Sequence, residues 1–233
     1  MNTKTTNNTA MKGKGEAVNV DLLVIPPPNT FLNVDCMELM KKCPNGYFDL
    51  AIVDPPYGIA KDSHGGGKAR TYYATKDNSK MKKWDIKPAA EYFDLLKRVS
   101  KNQIIWGGNY FTDNLYESKG WIFWDKQIGD NFFSDGELAW TSFNRALKMV
   151  SMRFETLGRV HPNQKPIKLY KWILERYAKA GDKILDTHVG SGSSLIACIE
   201  LGYDYYGTEI DKDYYEKAKK RISRAFRKPE LFD

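Results

Sequence analysis

Lys183-Ile184-Leu185-Asp186-Thr187-His188-Val189-Gly190-Ser191-Gly192, together with the residues that follow it to Glu209, decides the fold. A short apolar run ends at an acidic residue and a glycine-rich turn comes next. Leu195, Ile196 and Ile199 then recur at helical spacing, and Gly202 closes the helix. Tyr203–Glu209 reads as the next strand, and a further helix starts from Asp211. This is a βαβα unit with glycines in its first turn. Glycines there let the backbone approach a ligand, and the following helix offers free amides at its amino end. Glu209 stands 23 positions after Asp186, at the end of the second strand, where a carboxylate can accept hydrogen bonds from two ribose hydroxyls.

The pattern departs from the dinucleotide fingerprint Gly-x-Gly-x-x-Gly, because the third position, counted from Gly190 and Gly192, is Leu195. Asp186 beside the glycines suits S-adenosylmethionine better, since a carboxylate serves its cationic methionine end. Upstream, Leu50-Ala51-Ile52-Val53 is a second apolar run and stops at Asp54-Pro55-Pro56-Tyr57. A double proline ends a buried strand abruptly, and open α/β sheets bind their ligands at that carboxyl edge. An acidic acceptor, two residues of fixed φ and an aromatic ring therefore arrive together, a set that methylation of a base amino group needs.

The remaining elements fit the same α/β reading. A strand near Thr30–Val34 runs into Asp35-Cys36-Met37-Glu38, a helix start. Pro88 opens a helix with Tyr92, Phe93, Leu96 and Val99 on one face. Gln103–Trp106, Trp121–Trp124 and Leu138–Phe143 read as strands. Pro166 begins a helix carrying Leu169, Ile173, Leu174 and Tyr177, with Gly181 as its stop. The predicted architecture is one Rossmann-like domain over residues 29–233, a mostly parallel twisted sheet with helices on both faces, behind a flexible tail at 1–28. Trp106, Trp121, Trp124 and Trp140 read as core.

The chain has 233 residues, 42% of them hydrophobic, which is globular composition. Thirty-six basic against 29 acidic residues leave a net charge of +7, which suits a polyanionic partner. The excess is concentrated at 58–83, where Lys61, Lys68, Arg70, Lys76, Lys80, Lys82 and Lys83 face only Asp62 and Asp77. Lys61, Lys68, Arg70, Lys82 and Lys83 are candidate phosphate contacts and Tyr72 a candidate base-stacking ring. The three cysteines, Cys36, Cys43 and Cys198, have no disulfide or zinc spacing, and His64, His161 and His188 have no metal-ligand spacing. No metal is expected, and the expected setting is a reducing cytoplasm without membrane attachment.

Taken together, these motifs resemble those of the DNA amino-methyltransferases, which modify adenine N6 or cytosine N4. Asp54-Pro55-Pro56-Tyr57 is similar to their catalytic motif, and Asp186 through Gly192 to their cofactor loop. Asp35-Cys36-Met37-Glu38 resembles the element that contacts the cofactor adenine. Trp106-Gly107-Gly108-Asn109 and Trp124-Asp125-Lys126 resemble the strands beyond the catalytic motif, and His161-Pro162-Asn163-Gln164-Lys165-Pro166 the motif leading into the helix before the glycine strand. The catalytic tetrad precedes the glycine loop, an order similar to the circularly permuted β group.

The resemblance implies methyl transfer from S-adenosylmethionine to adenine N6 in DNA, with Asp54, Pro55, Pro56 and Tyr57 catalytic. It implies cofactor contacts from Asp35, Cys36 and Asp54, from His161, Gln164 and Lys165, and from Asp186, His188, Gly190, Ser191, Gly192, Glu209 and Ile210. Adenine is favoured because the family's cytosine enzymes more often begin the tetrad with Ser. Cytosine N4, RNA bases, protein glutamine and a non-catalytic binding module are the alternatives. A homodimer is implied by the β group, and a partner restriction endonuclease is left open. Two departures stand out. Thr187-His188 occupy the place of the family's usual Pro-Phe, and only about twenty residues separate the Trp140 strand from His161, a short target-recognition region.

Overall fold

The computed structural model describes residues 25–59, 85–129, 134–153 and 158–226. The tail read at 1–28 falls almost entirely outside them. So does most of the basic segment, and with it Lys61, Lys68, Arg70, Tyr72, Lys82 and Lys83. Among the described residues, β1 (Thr30–Leu32), β2 (Phe48–Val53), β3 (Ser100–Trp106), β4 (Trp121–Asp125), β5 (Gly136–Thr141), β6 (Lys148–Ser151), β7 (Lys183–Asp186) and β8 (Asp204–Thr208) form one sheet, in the order β1-β8-β7-β2-β3-β5-β4-β6. The five strands from β1 to β3 pair in parallel. β5 runs antiparallel to both β3 and β4, and β6 pairs in parallel with β4.

Alternation along the central strands builds two cores, because successive side chains point to opposite faces. Leu50 and Ile52 of β2, Ile104 and Trp106 of β3, Ile184 of β7 and Tyr205 of β8 face one side. There they pack on Leu169 and Ile173 of α3 (Ile167–Tyr177), Leu195 and Ile196 of α4 (Ser193–Leu201) and Ile222 of α5 (Lys212–Phe226). Ala51, Val53, Ile105, Leu185 and Tyr206 face the other side, under Leu39 and Met40 of α1 (Cys36–Lys42) and Tyr92, Phe93 and Leu96 of α2 (Ala90–Val99). The strands are apolar on both faces because helices cover both. No helix among the described residues is long and apolar enough to cross a membrane.

The chain leaves β2 toward β3 on one side and β7 toward β8 on the other, so the winding reverses between β2 and β7. Such a reversal opens a crevice at the carboxyl ends of the strands. Leu50 and Ala51 pair with Ile184 and Leu185, so Asp54 and Asp186 both leave the sheet at that crevice.

Gly207 of β8 explains how Leu195 replaces a glycine. A Cβ at Gly207 would meet Leu195 Cδ1 and Val189 Cγ2 at 2.8 Å, so the missing side chain on the strand makes room for the one on the helix. The expected strand Leu138–Phe143 instead spans Gly136–Thr141. A Cβ at Gly136 would meet Phe123 Cε2 at 2.3 Å and the Trp124 carbonyl at 2.5 Å, so close approach of β4 demands glycine there. The helix expected from Pro88 starts at Ala90, with Ala89 extended in front of it. α3 ends at Tyr177, where Ala178 donates to the Leu174 carbonyl, and Gly181 (φ +84°) serves the following turn. β6 was not anticipated, since only Val150 of its four residues is buried and the alternation is too short to read. It occupies part of the short region between Trp140 and His161. Trp106, Trp124 and Trp140 are buried as expected, and Trp121 is half-buried against the second core.

Candidate active site

β2 delivers Asp54 to the crevice with its side chain only 17% exposed. The Tyr57 hydroxyl donates to Asp54 Oδ1 at 2.7 Å, and Lys165 Nζ donates to Oδ2 at 2.5 Å. Tyr57 is held by the segment after β3. Gly107 adopts a left-handed φ of +68° and its amide donates to the Leu138 carbonyl. A Cβ there would lie 2.2 Å from Tyr57 Cε1, so only glycine admits the ring. Tyr110, one turn on, stacks against Tyr57 with centroids 4.9 Å apart and planes at 18°. Just beyond the tetrad, Gly58 N–H donates to Asp85 Oδ1 at 2.9 Å. Gly58 and Asp85, the described residues on either side of positions 60–84, are therefore hydrogen-bonded to each other.

Lys165 is 3% exposed and touches two carboxylates, Asp54 and Glu137 Oε2, the second at 2.9 Å. Lys126 Nζ meets the other Glu137 oxygen at 2.8 Å. Burial pushes the Asp54 carboxyl above its ordinary range and Glu137 adds to this, while Lys165 and the Tyr57 hydroxyl oppose it. Burial also acts on Glu137, but Lys165 and Lys126 outweigh it and hold that carboxyl at about 2. The two carboxylates hold the Lys165 ammonium above its ordinary value despite burial.

The glycine loop forms the other wall. Asp186 is 2% exposed; Oδ1 accepts from His188 N–H at 2.9 Å and Oδ2 accepts from the Ser194 hydroxyl. Burial raises its carboxyl to about 7, with Asp54 and Glu209 pushing the same way. Glu209 accepts from Gly190 N–H at 2.8 Å and Asp211 N–H at 2.9 Å, one on each oxygen. The His161 ring lies where a Gly190 Cβ would be 3.6 Å away, and it also packs edge-on against Tyr214. Burial, then Lys165 and Arg159, lower His161 to about 4, so it is neutral near pH 7. The Ser191 carbonyl accepts from Arg221, which ties the loop to α5.

His188, in the unusual Thr187-His188 pair, shares a hydrogen-bond chain with Tyr92. The Tyr92 hydroxyl lies 2.7 Å from Thr187 Oγ1, which lies 2.9 Å from His188 Nδ1. The Tyr92 and His188 rings meet edge to face at 5.4 Å, and burial lowers His188 to about 4. Asp35 caps α1 through Met37 N–H at 2.9 Å, and Cys36 follows it, half-buried. Ile210, 65% exposed, sits beyond Glu209, where Asn33 donates to the carbonyls of both.

The crevice thus brings together Asp54, Tyr57 and Lys165 on one wall, and Asp186, His188, Gly190, Glu209 and His161 on the other. Asp54 is close enough to disfavour ionisation of Asp186. Gln164 is built into its own turn, where its side-chain oxygen accepts from Val160 N–H at 3.0 Å. Lys165, expected among the cofactor contacts, is paired with the tetrad acid. Sequence reasoning did not single out Glu137 or Tyr110, named Lys126 only within the Trp124-Asp125-Lys126 motif, and read Tyr92 only as part of the apolar face of its helix. The helical spacing of Tyr92 and the strand position of Glu137 were visible, but their partners come from other elements.

A family model described as DNA methylase matches residues 139–220, which span β5 to α5. Over that part, about a third of its length, the chain is similar to the DNA methylases. It is 24% identical to the type II methyltransferase M.HpaI of Haemophilus parainfluenzae over 82% of this chain and 73% of that one. The crystal structure of an M1.HpyAVI–SAM complex superposes with a TM-score of 0.58 at 18% identity, covering 83% of this chain and 98% of the other. The PvuII DNA methyltransferase, described as cytosine-N4-specific, gives 0.59 at 10% identity over 88% of each chain. These solved structures share this fold.

Proposed function

We propose that this protein, an S-adenosylmethionine-dependent DNA methyltransferase of the N6-adenine and N4-cytosine family, acts on adenine N6 with the target base turned out of the duplex. The order of its motifs supports membership of the permuted β group. The observation that carries the reading is the departure of Asp54 and Asp186 from adjacent parallel strands into one crevice.

The residues present fit S-adenosylmethionine. Asp186 is a buried acid held by N–H and O–H donors, with no basic side chain paired to it among the described residues, which suits a cationic amino group. Each Glu209 oxygen accepts one backbone N–H and keeps a lone pair for a hydroxyl. Gly190, under the His161 ring, leaves the backbone bare for close approach. When bound, the cofactor supplies an electrophilic methyl group.

The chain's own residues prepare the amine. An exocyclic amine is a poor nucleophile while its lone pair is delocalised into the ring. Accepting its hydrogens favours a pyramidal nitrogen with the lone pair free. Asp54 is an acceptor when ionised, and each oxygen keeps a lone pair beyond the Tyr57 and Lys165 bonds. The Pro55 carbonyl is the proposed second acceptor, its direction limited by the proline rings. Tyr57, with Tyr110 stacked on it, offers an aromatic wall for a flipped base, offsetting part of the unstacking cost of a few kcal/mol. Catalysis in this scheme is orientation and electrostatics.

Adenine is favoured by Asp, rather than Ser, at the head of the tetrad. Lys61, Lys68, Arg70, Lys82 and Lys83 are the proposed phosphate contacts, from a segment rooted beside the site at Gly58 and Asp85. The test is methyl transfer from labelled S-adenosylmethionine to unmethylated DNA, followed by nucleoside mass spectrometry. The expected product is 6-methyladenine; 4-methylcytosine alone would overturn the adenine assignment. Asp54→Ala is expected to lower transfer by about 10²–10³-fold or more with cofactor binding retained. Full activity in that variant would remove Asp54 from the mechanism.

A further inference from the structure

We propose that Lys165 and Glu137 are positioning residues that set the ionisation and orientation of Asp54, and that Lys165 acts there rather than as a cofactor ligand. The inference rests on the reading of Asp54 as the amine acceptor. It names two side chains whose roles are exerted through that acid.

The argument starts from the three hydrogens of an ammonium group. Lys165 Nζ lies 2.5 Å from Asp54 Oδ2 and 2.9 Å from Glu137 Oε2, and its third side faces the Trp106 ring, 5.0 Å from the centroid. Two carboxylates and a ring thus surround the ammonium, with Asp54 Oδ2 hydrogen-bonded and Glu137 Oε2 an ion-pair contact without a hydrogen bond. Glu137 is in turn shared with Lys126 at 2.8 Å, and Lys126 lies 5.6 Å from the centre of the Trp124 ring. The row Lys126, Glu137, Lys165, Asp54 alternates in sign and sums to zero. It draws on the ends of β4 and β5, the turn before α3 and the end of β2. A buried ion pair is costly to break because one uncompensated charge is then left behind.

The other titratable groups facing this row are Tyr57 on the tetrad, Tyr92 on α2, Tyr170 on α3, Asp186 at the end of β7 and His161 beside Lys165. The tyrosines are all pushed above their ordinary range and His161 is neutral near pH 7. Lys165 is therefore the cation that keeps Asp54 an acceptor. Removing the cation and removing the rival anion have opposite consequences. Lys165→Met leaves Asp54 facing Glu137 with no cation between them, so Asp54 ionises only at higher pH. Glu137→Gln leaves the cation wholly to Asp54, so Asp54 ionises at lower pH.

The test is a ¹³C-carboxyl NMR titration of the ligand-free protein, with Asp54 assigned through Asp54→Asn, run on wild type, Lys165→Met, Lys165→Arg and Glu137→Gln. The midpoint should rise by at least one pH unit in Lys165→Met, fall in Glu137→Gln and stay close to wild type in Lys165→Arg. The acid limb of the single-turnover rate should move in the same directions, with the affinity for S-adenosylmethionine within threefold of wild type. Shifts of the same sign in both variants, or unmoved midpoints, would overturn the proposal, as would a tenfold loss of cofactor affinity in Lys165→Met with an unmoved acid limb. If Lys165→Met does not fold, the fall in Glu137→Gln decides alone. The titration needs no methyl transfer, so an inactive protein would count against the proposed reaction and leave this measurement standing.

Discussion

Asp186→Asn should make the ligand-free protein more stable above neutral pH while removing its response to S-adenosylmethionine. The carboxyl is 2% exposed and burial carries it from 3.8 to about 7 in the folded protein. The unfolded chain ionises it near its ordinary value. Between those two values the folded state holds more protons than the unfolded state, so stability falls as pH rises through that window and the full penalty is present above pH 7. The displacement corresponds to a penalty on the order of 4 kcal/mol. Asparagine removes that penalty but turns one acceptor into a donor, facing either His188 N–H or the Ser194 hydroxyl, a mismatch of about 1–3 kcal/mol. The net gain is about 1–3 kcal/mol at pH 8, or roughly 2–12 °C in Tm for a chain of this size. At pH 5 the wild-type carboxyl is already protonated, so the gain should vanish or reverse. Differential scanning fluorimetry at pH 5 and pH 8 reads this directly. At 100 times Kd, S-adenosylmethionine should stabilise wild type by about 2.7 kcal/mol and leave the variant unmoved at the same concentration. A variant no more stable at pH 8, with an unchanged slope against pH, would refute the buried-charge argument. A retained ligand shift would refute Asp186 as the partner of the cofactor's cation.

Two further substitutions probe the walls of the crevice. Gly107→Ala adds left-handed strain of about 1–2 kcal/mol and a carbon 2.2 Å from Tyr57 Cε1, so the ring must leave Asp54 and Tyr110; transfer should fall at least about tenfold with a lower Tm, and wild-type activity would show that the ring position is dispensable. Glu209→Ala removes the acceptor of Gly190 N–H and Asp211 N–H, so calorimetric affinity for S-adenosylmethionine should drop at least about tenfold, with a stability loss of about 1–3 kcal/mol; unchanged affinity would place the ribose elsewhere.

How far the site could be read from sequence depended on whether its information was local. Val53 before Asp54-Pro55 and Leu185 before Asp186 announce strands that end at acids, because an apolar run and its breaker are contiguous. Gly192 and Gly202, both left-handed at the ends of α4, carry the signal for that helix in their own backbone requirement. The Tyr57–Gly107 contact could not be read in the same way. The glycine pair after Trp106 was visible as a motif, but the reason for it is a ring fifty residues away. Lys165 shows the limit most plainly. Its motif pointed to the cofactor, whereas its partner depends on β5 entering antiparallel beside β3, which brings Glu137 to the carboxyl edge of the parallel strands. That antiparallel insertion has no contiguous signature, and neither has β6 with one buried residue in four.

The two crevice acids are treated differently by the rest of the chain, and that difference bears on the direction of the reaction. Both leave neighbouring parallel strands, Asp186 is buried and Asp54 is 17% exposed, and Asp54 makes Asp186 harder to ionise. Asp54 is given a buried cation and a hydroxyl donor by the protein itself. Asp186 is given an N–H and a hydroxyl but no basic partner among the described residues. A fold that needed only structural carboxylates would gain by neutralising both, since an uncompensated buried charge is destabilising. Leaving one uncompensated makes sense if its cation arrives with a ligand. A positively charged ligand is then drawn to the Asp186 wall, because the Asp54 wall is already neutral. In the proposed scheme the neutral amine is left to face Asp54, whose cation the protein itself supplies. Electrophile and nucleophile are thereby sorted, in that proposed scheme, to opposite sides of one crevice before either has bound.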